Sequence, residues 1–374
     1  MSEAVFNTNS GSGTLEANDF IFSISGGNAS LSNTTPTSIS VSGNIYSLGI
    51  GLSGSVNGSE SLTVNPIDNG IYDSAGNEAS TSQSNNSTTL YDKVLPVITG
   101  IALASDNSSA AVTFSEAVFN ATGGSGALQA NDFVLSVTGG NATLGSTTPT
   151  GISISSNTYT LGFSLSGTTD GSELLVVNIL DDSIYDADNN EASTSQSNNS
   201  INLNDNTVPT VTSVSSITAN GSYGVGNLVQ ITTIFSEIVI VTGTPQISLE
   251  TGPTDAVVDY SSGSGSNTLV FNYTIAAGDT TSDLEYKETT SLVLNGGTIK
   301  DAAGNAATLT LASPAESSSL SNNKNLVVDG NIPTVISVNS SKANGTYGLN
   351  DTIPTVSYTH LRAHETKANL VCRL

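Results

Sequence analysis

The sequence predicts an all-β protein built from tandem β-sandwich domains. Short segments rich in Val, Ile, Leu, Phe and Tyr, such as DFVLSVTG and SELLVVNIL, alternate with turns rich in Gly, Ser and Asn. Apolar residues do not recur with a helical period of 3.6 over any long segment. The same phrases return after about 110 to 125 residues, an interval too long for solenoid coils or propeller blades.

The repeated sequence segments define the domains. SEAVFN (residues 2–7) and NEASTSQSNN (77–86) both recur 113 positions later. An aspartate stands four residues before the proline that opens each later repeat, where the missing N–H of proline does no harm to a first strand. Met1 aligns with Phe114, so we expect the chain to be a fragment cut inside a domain. We predict a first domain without its opening strands, two complete domains and the start of another, at residues 1–92, 93–206, 207–330 and 331–355.

The last residues, 356–374, differ in composition from the rest of the chain. They resemble translated sequencing adapter, and we expect them to be foreign to the protein. The alternative is a genuine basic tail, in which two histidines four positions apart would suggest a metal site. The tail contains both histidines, both arginines and the only cysteine of the chain: His360, His364, Arg362, Arg373 and Cys372.

Composition excludes some classes of function. The formal net charge of −24 repels phosphate backbones, so we expect no nucleic-acid partner. No apolar run approaches the roughly 20 residues that cross a bilayer, so we expect no membrane insertion within this segment. A body without Cys or Trp and rich in Gly, Ser, Thr and Asn suits an extracellular or cell-surface β-protein. Disorder is the alternative for such polar sequence, and the regularly spaced apolar segments argue against it.

Short motifs then indicate a family. FSEAV near the second strand, and DSAGN, DADNN and DAAGN before the last strand, resemble the bacterial immunoglobulin-like repeats of surface and secreted proteins. The resemblance covers residues 1–353 and implies tandem immunoglobulin-like β-sandwiches joined by short linkers. The third repeat reads IFSEIVIVTGTPQISLETG and lacks the NDF element, so it resembles a related subfamily.

The resemblance implies a non-enzymatic structural or adhesive segment of a large cell-surface or secreted bacterial protein. Its partner would be an unknown surface ligand or a component of the cell wall or matrix. Two alternatives remain: an accessory region of a secreted hydrolase whose catalytic domain lies elsewhere, or an array of carbohydrate-binding modules. A body without His and Cys excludes histidine-based triads and thiol nucleophiles. A glycosidase-like carboxylate pair is disfavoured because the best candidate acids recur in every repeat.

The recurring acids are the candidate site residues, and calcium is the one cofactor that they suggest. In an immunoglobulin-like topology, the linker enters at the end that also carries the loop after the second strand and the loop before the last. Carboxylates without histidine suit calcium, which takes six to eight oxygen ligands. The predicted ligands are Asp92, Glu116, Asp132 and Asp186, and in the next domain Asp205, Glu237 and Asp301.

A purely structural interpretation stands beside the calcium hypothesis. The Asp of D-x-x-G-N can accept bonds from backbone N–H groups two residues on, while Gly or Asn adopts a positive φ, so the motif can be a turn and nothing more. The tyrosines of NTYTLG and related segments can likewise form a sugar-binding platform or pack at the edge of the core, and their recurrence in phase favours packing.

Overall fold

The structure, a computed structural model, describes residues 1–340 and 342–359. Strands hold 41% of the residues and helices 3%, which confirms the predicted all-β fold. The chain divides into two compact units, Met1–Asp205 and Asn206–Leu374. No helix in the described ranges is long and apolar enough to cross a membrane. Most of the predicted foreign tail, residues 360–374, lies outside the described residues.

The first repeat is made of short strands separated by turns of Gly, Asn and Ser. Its strands are β1 (Phe20–Ser25), β2 (Ser30–Leu31), β3 (Ile39–Ser42), β4 (Ile45–Leu48), β5 (Leu52–Ser53), β6 (Ser61–Pro66) and β7 (Ser87–Thr89). They form three antiparallel sheets, with the orders β1-β6-β7, β2-β5 and β3-β4. A 3₁₀ turn of the N-D-F motif, Ala17–Asp19, leads into β1.

The second repeat has the same sheets and two more strands. Its strands are β8 (Ile98–Leu103), β9 (Ser109–Phe114), β10 (Phe133–Thr138), β11 (Thr143–Leu144), β12 (Gly151–Ser155), β13 (Thr158–Gly162), β14 (Leu165–Ser166), β15 (Leu174–Ile179) and β16 (Ser200–Asn202). The sheet β10-β15-β16 corresponds to β1-β6-β7, and β11-β14 corresponds to β2-β5. The sheet β12-β13-β9-β8 corresponds to β3-β4, extended by the hairpin β8-β9.

The core of the second repeat lies between the four-stranded sheet and the sheet β10-β15-β16. Side chains alternate between buried and partly exposed along β9 and β15, as expected for strands with one face in a core. Val112 and Leu161 from one sheet and Leu135 and Val177 from the other are fully buried in one cluster. Burial of each such side chain stabilises the fold by about 1.5–3 kcal/mol.

The core of the first repeat is smaller. Its buried cluster contains Leu15, Phe20 and Ile71, with Tyr46 and Leu48 packed beside it but partly exposed. The difference follows from the missing hairpin, because nothing in residues 1–92 takes the place of β8 and most of β9.

The third repeat is built differently. Its elements are β17 (Val211–Ser216), β18 (Gly221–Gly224), β19 (Leu228–Thr242), β20 (Gln246–Glu250), β21 (Ala256–Ser262), β22 (Ser266–Thr274), β23 (Thr280–Thr281), β24 (Glu285–Tyr286), β25 (Leu292–Val293), β26 (Thr298–Lys300), α1 (Leu320–Asn323) and β27 (Leu326–Asp329). One sheet has the order β17-β19-β22-β21-β20-β24, with β25 on β20 and β26 on β19. The other has the order β18-β27-β23, and β18 pairs with β27 in parallel.

Two strands follow the third repeat, β28 (Val335–Ser340) and β29 (Thr355–Thr359). They form an antiparallel hairpin in which Val335 pairs with Thr359 and the register then shifts by a bulge. The hairpins β8-β9 and β17-β19 have a shift at the same place, just after their first pair. The assignment of residues 331–355 to the start of another repeat stays a prediction, and β29 extends from Thr355 into residues 356–359 of the predicted tail.

Candidate metal site at the junction of the first two repeats

The D-x-x-G-N element of the second repeat is a turn closed by its own aspartate. Asp186 Oδ1 accepts hydrogen bonds from the backbone N–H groups of Asp188 and Asn190, at 2.9 and 2.8 Å. Its Oδ2 accepts from the side-chain amide of Asn190 at 2.7 Å. Asn189 has a φ of 70°, in the left-handed region that Asn tolerates. The local geometry that the turn interpretation requires is therefore present.

The same turn occurs in the other repeats. The side-chain amide of Asn77 donates to Asp73 at 2.7 Å, and that of Asn305 donates to Asp301 at 2.8 Å. Gly76 supplies the positive φ, 81°, in the first repeat. The bond from the Asn77 side chain is the main cause that holds the pKa of Asp73 below its ordinary value.

The linker between the first two repeats is fastened to this turn through Asp92. Asp92 Oδ1 accepts a hydrogen bond from the backbone N–H of Val94 at 2.7 Å, which closes a local turn. The backbone carbonyl of Asp92 accepts from the side-chain amide of Asn190 at 3.1 Å. Asn190 therefore donates both to the linker and to Asp186, and it holds the two aspartates side by side.

Glu116 of the FSEAV motif completes a group of three acids, which we call the junction triad: Asp92, Glu116 and Asp186. One carboxylate oxygen of each lies within 4.8 Å of the others. Asp186 is buried, with 1% of its surface exposed, and the other two are partly buried. The structure thus brings together three of the four ligands predicted for this junction.

The junction triad is electrostatically strained. Burial raises the pKa of Glu116 to about 7, and the neighbouring charges of Asp92 and Asp186 act in the same direction. A hydrogen bond with the Ser115 side chain opposes these effects but is weaker than they are. Near neutral pH, a proton on Glu116 or a cation beside it would relieve this repulsion.

The fourth predicted ligand, Asp132, does not belong to the triad. The N-D-F element forms a 3₁₀ turn, Ala130–Asp132, and Asp132 Oδ2 accepts a hydrogen bond from the backbone N–H of Gln129 at 2.7 Å. Asp19 makes the same bond to Glu16 in the first repeat, also at 2.7 Å. The prediction for Asp132 was wrong about position, because its carboxylate folds back on its own turn.

The second predicted set is divided between the two units. Asp205 is the last residue of the first unit, and Glu237 and Asp301 belong to the second. Within the second unit, carboxylate oxygens of Glu237 and Asp301 lie within 4.8 Å of each other. Asp301 is buried and closes its own turn through the backbone N–H groups of Gly304 and Asn305, at 2.7 and 2.8 Å.

No family model matches the chain, and no curated protein or solved structure is significantly similar to it. The resemblance to bacterial immunoglobulin-like repeats therefore stays a prediction from the motifs. The chemistry of the junction triad follows from its donor atoms. Three carboxylates with no histidine or cysteine beside them form an all-oxygen donor set, which fits a hard cation such as calcium.

Two buried glutamates that the sequence analysis missed hold loops in the first and second repeats. Glu173 is fully buried, and its Oε1 accepts from the backbone N–H groups of Asn141 and Ala142 at 2.9 and 3.0 Å. Its Oε2 accepts from the N–H of Asp170 at 3.1 Å. Glu60 makes the equivalent bonds in the first repeat. The signal was present in the sequence, since G-S-E recurs at the same 113-residue offset.

The tyrosine of NTYTLG packs at the edge of the core. Tyr159 is 4% exposed, and its hydroxyl donates to the backbone carbonyl of Val118 at 3.1 Å. Its ring makes an edge contact with Phe114, with centroids 5.6 Å apart. This geometry favours the packing interpretation over a sugar-binding platform for Tyr159.

Proposed function

We propose that the chain is a non-enzymatic structural and adhesive segment of a large secreted or cell-surface bacterial protein, built from immunoglobulin-like repeats. The observation that supports this proposal is that the recurring acids stabilise loops and turns of the fold. Glu60 and Glu173 hold loops through backbone N–H groups, while Asp73 and Asp186 close turns, at equivalent positions of successive repeats. Acids that make such bonds at the same positions of the first two repeats stabilise a repeated scaffold.

The composition supports the proposed surroundings and partner. A chain with net charge −24 remains soluble and resists non-specific association with other anionic polymers. We propose that the segment lies outside the cell or at its surface, and that its partner is an unidentified surface ligand or a component of the cell wall or matrix. A pull-down of purified cell-wall sacculi with the full chain tests this, with serum albumin as the control. Retention no greater than that of albumin would contradict a cell-wall partner.

The junction triad suggests how successive repeats are held in order, and we propose calcium as its ligand. A cation would offset the repulsion that raises the pKa of Glu116. Asp92, Glu116 and Asp186 would supply the protein oxygens, and water would complete the coordination. Because Asp92 belongs to the linker and the other two to the second repeat, the bound ion would fix the path of the linker.

Mechanical unfolding tests the structural role. A repeat of about 114 residues, stretched to roughly 3.6 Å per residue, lengthens the chain by about 400 Å when it unfolds. Single-molecule extension of the full chain should therefore show discrete force peaks with this spacing. A smooth extension without peaks would mean that the repeats do not resist force as separate domains, and the structural role would fail.

A further inference from the structure

The second repeat leaves one edge of its four-stranded sheet open. In the order β12-β13-β9-β8, the strand β12 (Gly151–Ser155) pairs with β13 alone among the described strands. The pairing runs along the whole of β12 without a shift of register. Backbone groups on the outer side of such a strand are a template for a further strand.

The opposite edge of the same sheet is protected. At the start of β8, the backbone N–H of Ile98 donates to Gln196 Oε1 at 2.8 Å, and its carbonyl accepts from the side-chain amide of Asn198 at 3.4 Å. A shift of register follows between Ile98 and Gly100. Bulges, and loops that cover an edge, hinder the addition of a strand. The strand β12 has no bulge, and it contains neither a charged residue nor a proline.

The open edge lies in a part of the chain without charge. Residues 133–169 contain no Asp, Glu, Lys, Arg or His, although the chain has a net charge of −24. Residues 20–59 of the first repeat are likewise uncharged. Two copies of so acidic a chain repel each other, and the repulsion is smallest where uncharged segments meet.

An apolar groove of about 410 Å³ lies beside this edge. Val118 and Leu128, which are at most 4% exposed, line the groove, and none of its lining residues is charged. Ile154 of β12 also lines it and is 49% exposed. Ile152, two residues earlier on the same face of the strand, packs against the core. Ile154 is therefore an apolar side chain at the open edge that a single chain leaves half uncovered.

The strand β12 is complementary to itself in the antiparallel direction. When two copies of β12 pair about Ser153, each Ile154 lies opposite Ile152 of the other copy, and the two Ser153 side chains lie opposite each other. Residues that lie opposite each other share a face of the sheet, so both isoleucine pairs form on the face that carries the groove. Because a two-fold axis relates the copies, the same strand supplies both sides of the interface.

The same edge recurs in the first repeat. The strand β3 (Ile39–Ser42) corresponds to β12, and it pairs with β4 alone among the described strands. Val41, the counterpart of Ile154, is 61% exposed. Ser40 is the counterpart of Ser153 and is also exposed. An open edge and an exposed apolar side chain thus occur together in both repeats.

We propose that β12 is a self-association site, at which it pairs with β12 of a second copy of this chain and joins the two four-stranded sheets into one. Main-chain hydrogen bonds supply the affinity, and the isoleucine pairs fix the register. A second copy is the favoured occupant because its own β12 is a neutral strand of the same length with an uncovered Ile154. The strand β3 supplies an equivalent site in the first repeat.

Sedimentation velocity of the full chain in chelator tests this proposal, because chelator prevents bridging of the acids by calcium. We expect the sedimentation coefficient to rise with protein concentration between about 10 and 500 µM, as for a small and transient interface. Hydrogen exchange at residues 151–155 should slow over the same range, while exchange at residues 98–103 should not change. A chain that stays monomeric, or one that associates without protection of residues 151–155, would overturn the proposal.

Charge variants locate the two-fold axis. Ser153→Lys combined with Ser40→Lys places like charges opposite each other at both edges and should weaken association at least about tenfold. A general effect of net charge would act in the other direction, because lysine makes the chain less negative. Ser153→Asp combined with Ser40→Asp should also weaken association. An equimolar mixture of the two variants should associate again, since each lysine then lies opposite an aspartate.

The matched control is Ala102→Lys, which adds the same charge at an exposed position of β8 and should leave association unchanged. Association of the lysine variant as strong as that of the wild type would overturn the proposal, and so would a mixture that stays monomeric. The result is separable from the proposed function. A monomeric chain that cell-wall sacculi still retain would refute self-association alone.

Discussion

Replacement of Glu116 by Gln should change stability in opposite directions with and without calcium. In the junction triad the pKa of Glu116 lies at about 7, against an ordinary value of 4.5. At 1.36 kcal/mol per unit of pKa, this difference destabilises the folded state by about 3 kcal/mol at a pH above both pKa values. Because solvent screens the charge of a partly exposed carboxylate, we expect the actual destabilisation to be roughly 1 kcal/mol. Glu116→Gln removes this repulsion and should stabilise the second repeat by that amount at pH 8 in chelator.

The dependence of the free energy of unfolding on pH tests the same electrostatic effect independently. Between pH 4.5 and 7 the folded chain binds the Glu116 proton more tightly than the unfolded chain does, so the free energy of unfolding falls as the pH rises through this window. Below about 4.5, Glu116 is protonated in both states and contributes no further slope. The Gln variant should lose this part of the slope, and its advantage over the wild type should vanish at pH 4.5.

Calorimetry of the full chain measures both effects. In chelator at pH 8, Glu116→Gln should raise the transition of the second repeat by about 3–5 °C. Calcium at a hundredfold excess over its Kd should stabilise the wild type by about 2.7 kcal/mol, and the variant by much less, since it has lost one ligand. Sodium at equal ionic strength must not reproduce the calcium shift.

The matched control is Glu3→Gln. Glu3 occupies in the first repeat the position of Glu116, in the segment SEAV, and it is exposed. Its replacement should change neither the pH profile nor the calcium response. The calcium hypothesis would be refuted if wild type melted at the same temperature in calcium and in chelator. The electrostatic reasoning would be refuted if Glu116→Gln were no more stable than wild type in chelator at pH 8.

Three further predictions concern the framework of the second repeat and can be checked by urea denaturation of the full chain. Glu173→Gln should destabilise the repeat by about 2–3 kcal/mol, because backbone N–H groups then face an amide in a site closed to water; an unchanged midpoint would mean that water replaces the carboxylate. Tyr159→Phe should cost about 1 kcal/mol, as only the bond to Val118 is lost; a loss above about 3 kcal/mol would show that the ring has also moved. Asn107→Ala should cost about 2 kcal/mol, because it frees the β8-β9 turn from Asn204, and faster hydrogen exchange should appear at that turn first.

The fold class could be predicted because the local signals agree with one another. Apolar alternation in DFVLSVTG and SELLVVNIL became β10 and β15, which pair along their whole length. The junction triad could be predicted in part, since Asp92, Glu116 and Asp186 stand beside turn and linker signals. Asp132 was misplaced because its motif does not reveal whether a carboxylate points to a neighbouring loop or to its own backbone. Glu173 was missed because full burial of an acid depends on N–H groups that only the folded loops bring together.

The parallel pairing of β18 with β27 could not be predicted either. It joins Gly221–Gly224 to Leu326–Asp329, which are about a hundred residues apart. No local pattern distinguishes a strand with such a distant partner from one that pairs with its neighbour.

This pairing also determines when the third repeat can fold during synthesis. β18 lies near the beginning of the third repeat, and its partner β27 is among the last residues of that repeat to be translated. The sheet β18-β27-β23 therefore cannot form until Val328 has left the ribosome. At about 5 to 20 residues per second, the roughly one hundred intervening residues take about 5 to 20 seconds to appear. Throughout that time β18 has no β27 to pair with, and its edge is exposed. A nascent chain arrested before Leu326 should therefore be digested by protease in its third repeat, while one extended past Asp329 should resist.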